Sequence, residues 1–162
     1  MDRMMIQSFG VHWHLDRVHW GHGGTLLGAA SRSPKARPVD FRYQRGIYAL
    51  YADYELVYVG QTGAKNDRLF NRLKTHKRDH LSERWNRFSW FGTQRVLASG
   101  NLSVDTAHVG QSVEATLNIL EAVSIAIAEP RLNLQRGKWG EATKYFQSWD
   151  RSVADDEEEV DV

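Results

Sequence analysis

Five side chains in this sequence are of types that do chemistry together. Tyr48 and Tyr58 stand on two short apolar runs, Gly46-Ile47-Tyr48 and Tyr58-Val59-Gly60. Arg72 and His76 follow, four residues apart, which places them on one side of a helix. Glu121 lies in a long apolar stretch, between Leu117 and Ile125. A carboxylate in such company wants a cation, a hydrogen-bond donor or a metal. The surroundings are basic: between positions 65 and 95, Lys65, Arg68, Arg72, Lys74, Lys77, Arg78, Arg84, Arg87 and Arg95 stand against Asp67, Asp79 and Glu83. A local excess of that kind is the electrostatic footprint of phosphate binding. Alone, each of these residues reads as structural: the tyrosines as strand aromatics, Arg72 and Glu121 as an ion pair between helices.

The elements that must position these groups can be read around them. Ile47, Tyr48, Leu50 and Tyr51 favour a strand, as do Leu56, Val57, Tyr58 and Val59, so residues 46–60 predict a β-hairpin. An odd-numbered loop, such as Ala52-Asp53-Tyr54, sets Tyr48 opposite Tyr58 and puts both phenols on one face. Asn66 or Asp67 then caps a helix over roughly 68–80, with Leu69 and Leu73 as its inner stripe. The segment from Arg87 to Leu97 predicts a third strand. The run from Val113 to Ala128 is apolar nearly all round, which predicts a buried helix. A last amphipathic helix is expected over about 141–149, using Tyr145, Phe146 and Trp149 for packing.

The flanks are less informative. In the first 45 residues, His12, His14, His19 and His22 crowd together with Trp13 and Trp20, and the alternation of Val11, Trp13 and Leu15 suggests a strand. Histidines are metal ligands by type, but no carboxylate or cysteine completes a ligand spacing, which favours structural roles. Residues 31–38 (SRSPKARP) form a loop broken by Pro34 and Pro38. Residues 155–161 hold Asp155, Asp156, Glu157, Glu158, Glu159 and Asp161; removing these six from a formal net charge of +1 leaves +7 on the remainder. A basic body with an acidic tail points to a polyanionic partner. Absence of cysteine excludes a disulfide framework, a thiolate zinc site and a cysteine nucleophile. With no spanning apolar run and no signal-peptide core at the N-terminus, the expectation is a cytoplasmic protein away from membranes.

Taken in order and at this spacing, the motifs resemble those of the GIY-YIG nucleases. The first motif is Gly46-Ile47-Tyr48, the second Tyr58-Val59-Gly60 with valine in place of isoleucine. The family's helix arginine matches Arg72 and its frequent histidine His76; the metal-binding glutamate matches Glu121, nine residues before Pro130, and the frequent asparagine matches Asn133. The resemblance spans about 46–133, and residues outside it inherit no role.

The resemblance implies an α+β fold: a small three-stranded antiparallel sheet flanked by helices. To this the reading adds an N-terminal extension over 1–45, a nuclease domain over 46–150 that ends in the C-terminal helix, and a disordered acidic tail over 151–162. It also implies a divalent-metal-dependent endonuclease hydrolysing DNA phosphodiester bonds, of a restriction, defence or repair type. The alternative is a non-catalytic nucleic-acid-binding module on the same fold. In the nuclease reading Glu121 holds Mg²⁺ (or Mn²⁺), which keeps several waters and so needs few protein ligands. Arg72 binds non-bridging phosphate oxygens. Either Tyr48 or His76 is the general base, Tyr58 places water or phosphate, and Asn133 fixes local structure. Lys65, Arg68, Lys74, Lys77 and Arg78 are the candidate DNA-binding residues. The flanks are too short for a large DNA-reading domain, so specificity would come from them, from a homodimer or from a targeting partner.

Overall fold

A computed structural model describes residues 5–62, 67–104, 113–128 and 137–148. The hairpin forms where β-propensity and the turn residues place it: β4 (Gly46–Ala52) and β5 (Glu55–Gln61), with Asp53 in the left-handed region at φ 54° in the turn. The strand that follows the first helix, β6 (Arg87–Gly92), pairs with β4 on its other side.

The sheet does not stop at three strands, as the sequence reading expected. It continues through β1 (Ser8–His14), β2 (Leu27–Ala29), β3 (Val39–Asp40) and β7 (Thr143–Gln147) into a seven-stranded sheet ordered β3-β2-β7-β1-β6-β4-β5. The sheet is mixed, because β1 runs antiparallel to β6 and parallel to β7. Among the described residues the helices are two, α1 (Leu69–His76) and α2 (Val113–Ala128), plus a 3-10 turn at Leu15–Arg17. The expected α+β fold, a small three-stranded antiparallel sheet flanked by helices, with an N-terminal extension and a C-terminal helix, is therefore overturned. The physical reason is aromatic. Trp13 of β1 is buried against Phe41, Phe88 and Trp90, all within 6.1 Å by ring centroids, so the first strand belongs to the core. The C-terminal stretch forms a strand because β1 offers it an open edge, and Tyr145 packs on Phe41 at 4.7 Å.

Two apolar clusters divide along the two faces of this sheet. Across β4 and β6, Tyr48 is opposite Trp90 and Leu50 opposite Phe88, on the face where Leu69, Phe70 and Leu73 of α1 pack. Ile47 is opposite Phe91 on the other face, where Ile119 and Val123 of α2 join Ile6 and Phe9. The Tyr51 hydroxyl donates to the Ile127 carbonyl at 2.6 Å, tying the end of α2 to that second face. Only one stripe of α2 meets the sheet: Leu117 and Leu120 are 59% and 51% exposed, where burial all round was expected. A helix lying on a sheet buries the residues that face it whatever the apolarity of the rest.

The hairpin register also departs from expectation. Its loop is the two-residue Asp53-Tyr54, and Tyr48 lies opposite Gly60 while Tyr58 lies opposite Leu50. A β-bulge between Leu50 and Tyr51 makes Val57 an extra residue on β5. A bulge shifts the alternation by one position, so Tyr48 and Tyr58 share a face although the loop is even.

Candidate active site

The site is built where α1 leaves the sheet. The N-cap position of α1 is Arg68, whose side chain makes no capping bond, while Asn66 of the expected Asn66 or Asp67 cap lies outside the described residues; the Leu69 and Phe70 N–H groups donate to the carbonyls of Gln44 and Arg42, at 3.0 and 3.1 Å. Those carbonyls satisfy donors that a helix start leaves open and clamp α1 against the segment entering β4. Leu69, Phe70 and Leu73 fill the core below, and His76, one heptad after Leu69, falls on the same buried stripe. At the helix end the Trp85 indole N–H donates to the His76 carbonyl at 3.1 Å.

Four of the anticipated residues converge. The Tyr48 hydroxyl is hydrogen-bonded to His76 Nε2 at 2.7 Å and accepts from Arg72 Nε at 3.3 Å. The Tyr58 ring lies 4.8 Å from the His76 ring and 6.3 Å from that of Tyr48. Tyr48 is 0% and His76 3% exposed, so Arg72 and Tyr58 are the members of the cluster that reach solvent. Burial pushes the Tyr48 phenol above its ordinary range, while the Arg72 hydrogen bond and charge pull the other way. The hydrogen bond to Tyr48 raises Arg72 in turn, and Asp67 stands 3.6 Å from its Nε.

The motif glycines have steric reasons to be glycine. Gly46 has φ 151°, and a Cβ there would run into the Phe91 carbonyl. A Cβ on Gly60 would stand 2.6 Å from the Tyr48 hydroxyl oxygen. That hydroxyl is buried and held from two sides, so it has nowhere to retreat. Gly60→Ala is expected to cost about 1–3 kcal/mol, the usual scale of overpacking, read as a lower denaturant midpoint at unchanged slope.

The positive surface is partly as anticipated. Lys74 and Arg78 line a groove of about 420 Å³ with Asn71, Thr75 and Asp79, and Asp79, which bonds His76, is the lining residue that touches the cluster. Lys77 instead turns inward over the Trp20 ring at 4.9 Å, and burial lowers its ammonium, helped by Arg78 and Lys74. Arg68 sits at the start of α1, half-buried. Lys65, Asn133 and the acidic tail lie outside the described residues.

Glu121 is not with the cluster. It is exposed, not enclosed as the sequence suggested, and α2 packs on the sheet face opposite Tyr48 and His76. Among the described residues no group of three or more histidines or carboxylates could hold a metal ion together. The acids that do stand near the cluster are engaged: Asp67 with Arg72, and Asp79 with His76. Among the described residues, therefore, the carboxylate that the resemblance assigns to Mg²⁺ does not stand beside Tyr48.

Asp79 is the residue that sequence reasoning missed. Its Oδ2 lies 2.8 Å from His76 Nδ1, and its Oδ1 accepts the Leu81 N–H at 2.9 Å. The available signal was its place three residues after His76. No protein-family model matches the chain, and neither a curated protein nor a solved structure is detectably similar to it.

Proposed function

We propose that this chain is an endonuclease that hydrolyses phosphodiester bonds, with DNA as the first substrate to test. The observation that supports the reading most is the meeting of Arg72 Nε and His76 Nε2 on one phenol oxygen, at 3.3 and 2.7 Å, both from a helix that also carries Lys74, with Arg78 just beyond its end. Hydrolysis needs a base for the attacking water and positive charge for the phosphorane oxygens. Arg72 would meet the phosphate first, because it is the half-buried cation of the cluster that still reaches solvent, and its planar fork suits two oxygens at once. Drawn to the phosphate, the guanidinium would leave the Tyr48 oxygen open to a water on the phosphate's flank. Tyr48 and His76 would then carry that water's proton away. Lys74 and Arg78 would hold the neighbouring backbone.

The second reading, a binding module without catalysis, is favoured by the burial of Tyr48 and His76, which act as ordinary core groups if nothing uncovers them. Supercoiled plasmid incubated with purified protein separates the two, in parallel arms with Mg²⁺, Mn²⁺ and chelator. Nicking in any arm that falls about 10²–10³-fold in Arg72→Ala, the scale for losing one charge-stabilising donor, supports the enzyme. Salt-sensitive binding with no nicking in any arm, equal in wild type and variant, supports the module.

A further inference from the structure

The hydrogen bonds around His76 assign a direction to the proton. We infer that Asp79 is a positioning residue for the reaction at Tyr48, holding the His76 imidazole as the tautomer protonated on Nδ1, so that bare Nε2 can receive the Tyr48 proton. This rests on the nuclease reading for its consequence, though not for its geometry.

The Asp79 carboxylate is fixed from both sides, by the Leu81 N–H on Oδ1 and by His76 on Oδ2. Burial works to raise its pKa, yet the Leu81 N–H and the His76 bond and charge hold it below the usual carboxylate value, so it is ionised at neutral pH. An ionised carboxylate only accepts. At 2.8 Å, His76 Nδ1 must therefore carry a hydrogen; a bare nitrogen there would set two lone pairs against each other. In the neutral ring that leaves Nε2 bare, 2.7 Å from the Tyr48 oxygen. The same oxygen accepts from Arg72, which leaves its own hydrogen to donate, and Nε2 is the acceptor that receives it. Each group in the chain Asp79–His76–Tyr48–Arg72 is thus satisfied by one arrangement of hydrogens.

The relay balances. The attacking water gives a proton to the Tyr48 oxygen as that oxygen's hydrogen passes to His76 Nε2. The hydroxide forms the new bond to phosphorus, the bond from phosphorus to the leaving oxygen breaks, and that oxygen takes a proton from solvent. His76, now an imidazolium against Asp79, returns its extra proton to solvent. Asp79 does not touch the substrate; it orients the imidazole and stabilises its charged form.

Nitrogen-15 NMR on the histidine-labelled full chain reads the tautomer directly. Where its ring is neutral, wild-type His76 should show a protonated Nδ1 and a bare Nε2. Asp79→Ala should release a second population protonated on Nε2. Asp79→Asn, which keeps an acceptor for Leu81 should the alanine variant unfold, should do the same. On plasmid, kcat should fall roughly 10- to 100-fold, the scale for groups that orient another, with KM within about twofold of wild type. A wild-type ring protonated on Nε2, or a tautomer unmoved in both variants, overturns the inference. If the chain cleaves nothing, the spectrum still decides the tautomer, so failure of the nuclease reading and failure of this one are told apart.

Discussion

Tyr48→Phe should abolish cleavage while leaving the fold intact. The substitution removes one oxygen from a site where that oxygen is the meeting point of His76 and Arg72. The expected loss in kcat is about 10²–10⁴-fold, the range for a general base, and it should exceed the loss in Asp79→Asn. Substrate affinity should change little, because Lys74, Arg78 and Arg72 remain. Stability should fall modestly: a buried hydrogen-bonded hydroxyl is lost and His76 Nε2 is left without that partner, at a cost of about 1–3 kcal/mol. The pH dependence has a defined direction. Since burial raises the Tyr48 pKa, the hydroxyl keeps its proton throughout the neutral range, and the phenolate fraction grows tenfold per pH unit below that pKa. In the relay Tyr48 works as a neutral hydroxyl, so the rate should not follow the phenolate fraction; a rate that keeps climbing about tenfold per pH unit into the alkaline range would mean that the phenolate itself is the base. A phenylalanine variant as active as wild type would remove Tyr48 from the chemistry and return the cluster to a structural role.

Trp13→Ala should be the most damaging change to the fold. Trp13 is 1% exposed and touches Phe41, Phe88 and Trp90, the aromatic layer under the sheet. Its indole N–H also reaches the Tyr145 carbonyl, at 3.4 Å, across β1 and β7. Truncating so large a buried ring costs about 3–5 kcal/mol, a large share of the stability of an ordinary domain. Denaturant unfolding should show the midpoint drop, and cleavage should disappear above the lowered melting temperature while surviving below it. A variant as stable as wild type would mean that the N-terminal strand hangs on the sheet rather than belonging to it.

What the sequence made legible was local. The hairpin, the stripe of Leu69 and Leu73 and the helical spacing of Arg72 and His76 each lie within a few residues, and their convergence on Tyr48 followed. The shared face of Tyr48 and Tyr58 was anticipated, though by a direct pairing that the bulge at Val57 replaces. What was not legible depended on distant partners. Residues 143–147 carry aromatic and polar residues that suit a helix or a strand, and the choice is made by β1, paired as Gly10 to Tyr145. For α2, apolar composition announced burial, but only the sheet decides which stripe is covered, leaving Leu117, Leu120 and Glu121 outside. Order along the chain gave Glu121 its match in the family pattern; it carried no information on which side of the sheet the helix would lie. Asp79 was visible as a neighbour of His76 and was counted only as a negative charge among positives.

The parallel pairing of β1 with β7 has a consequence for biosynthesis. Strand β1 leaves the ribosome more than a hundred residues before one of its two neighbours, β7 (Ser8 pairs with Thr143). Contacts so far apart in sequence raise contact order and slow the search for the native arrangement. Until residues 143–147 emerge, one edge of β1 stays unpaired, and an open strand edge is a template for pairing with another nascent chain.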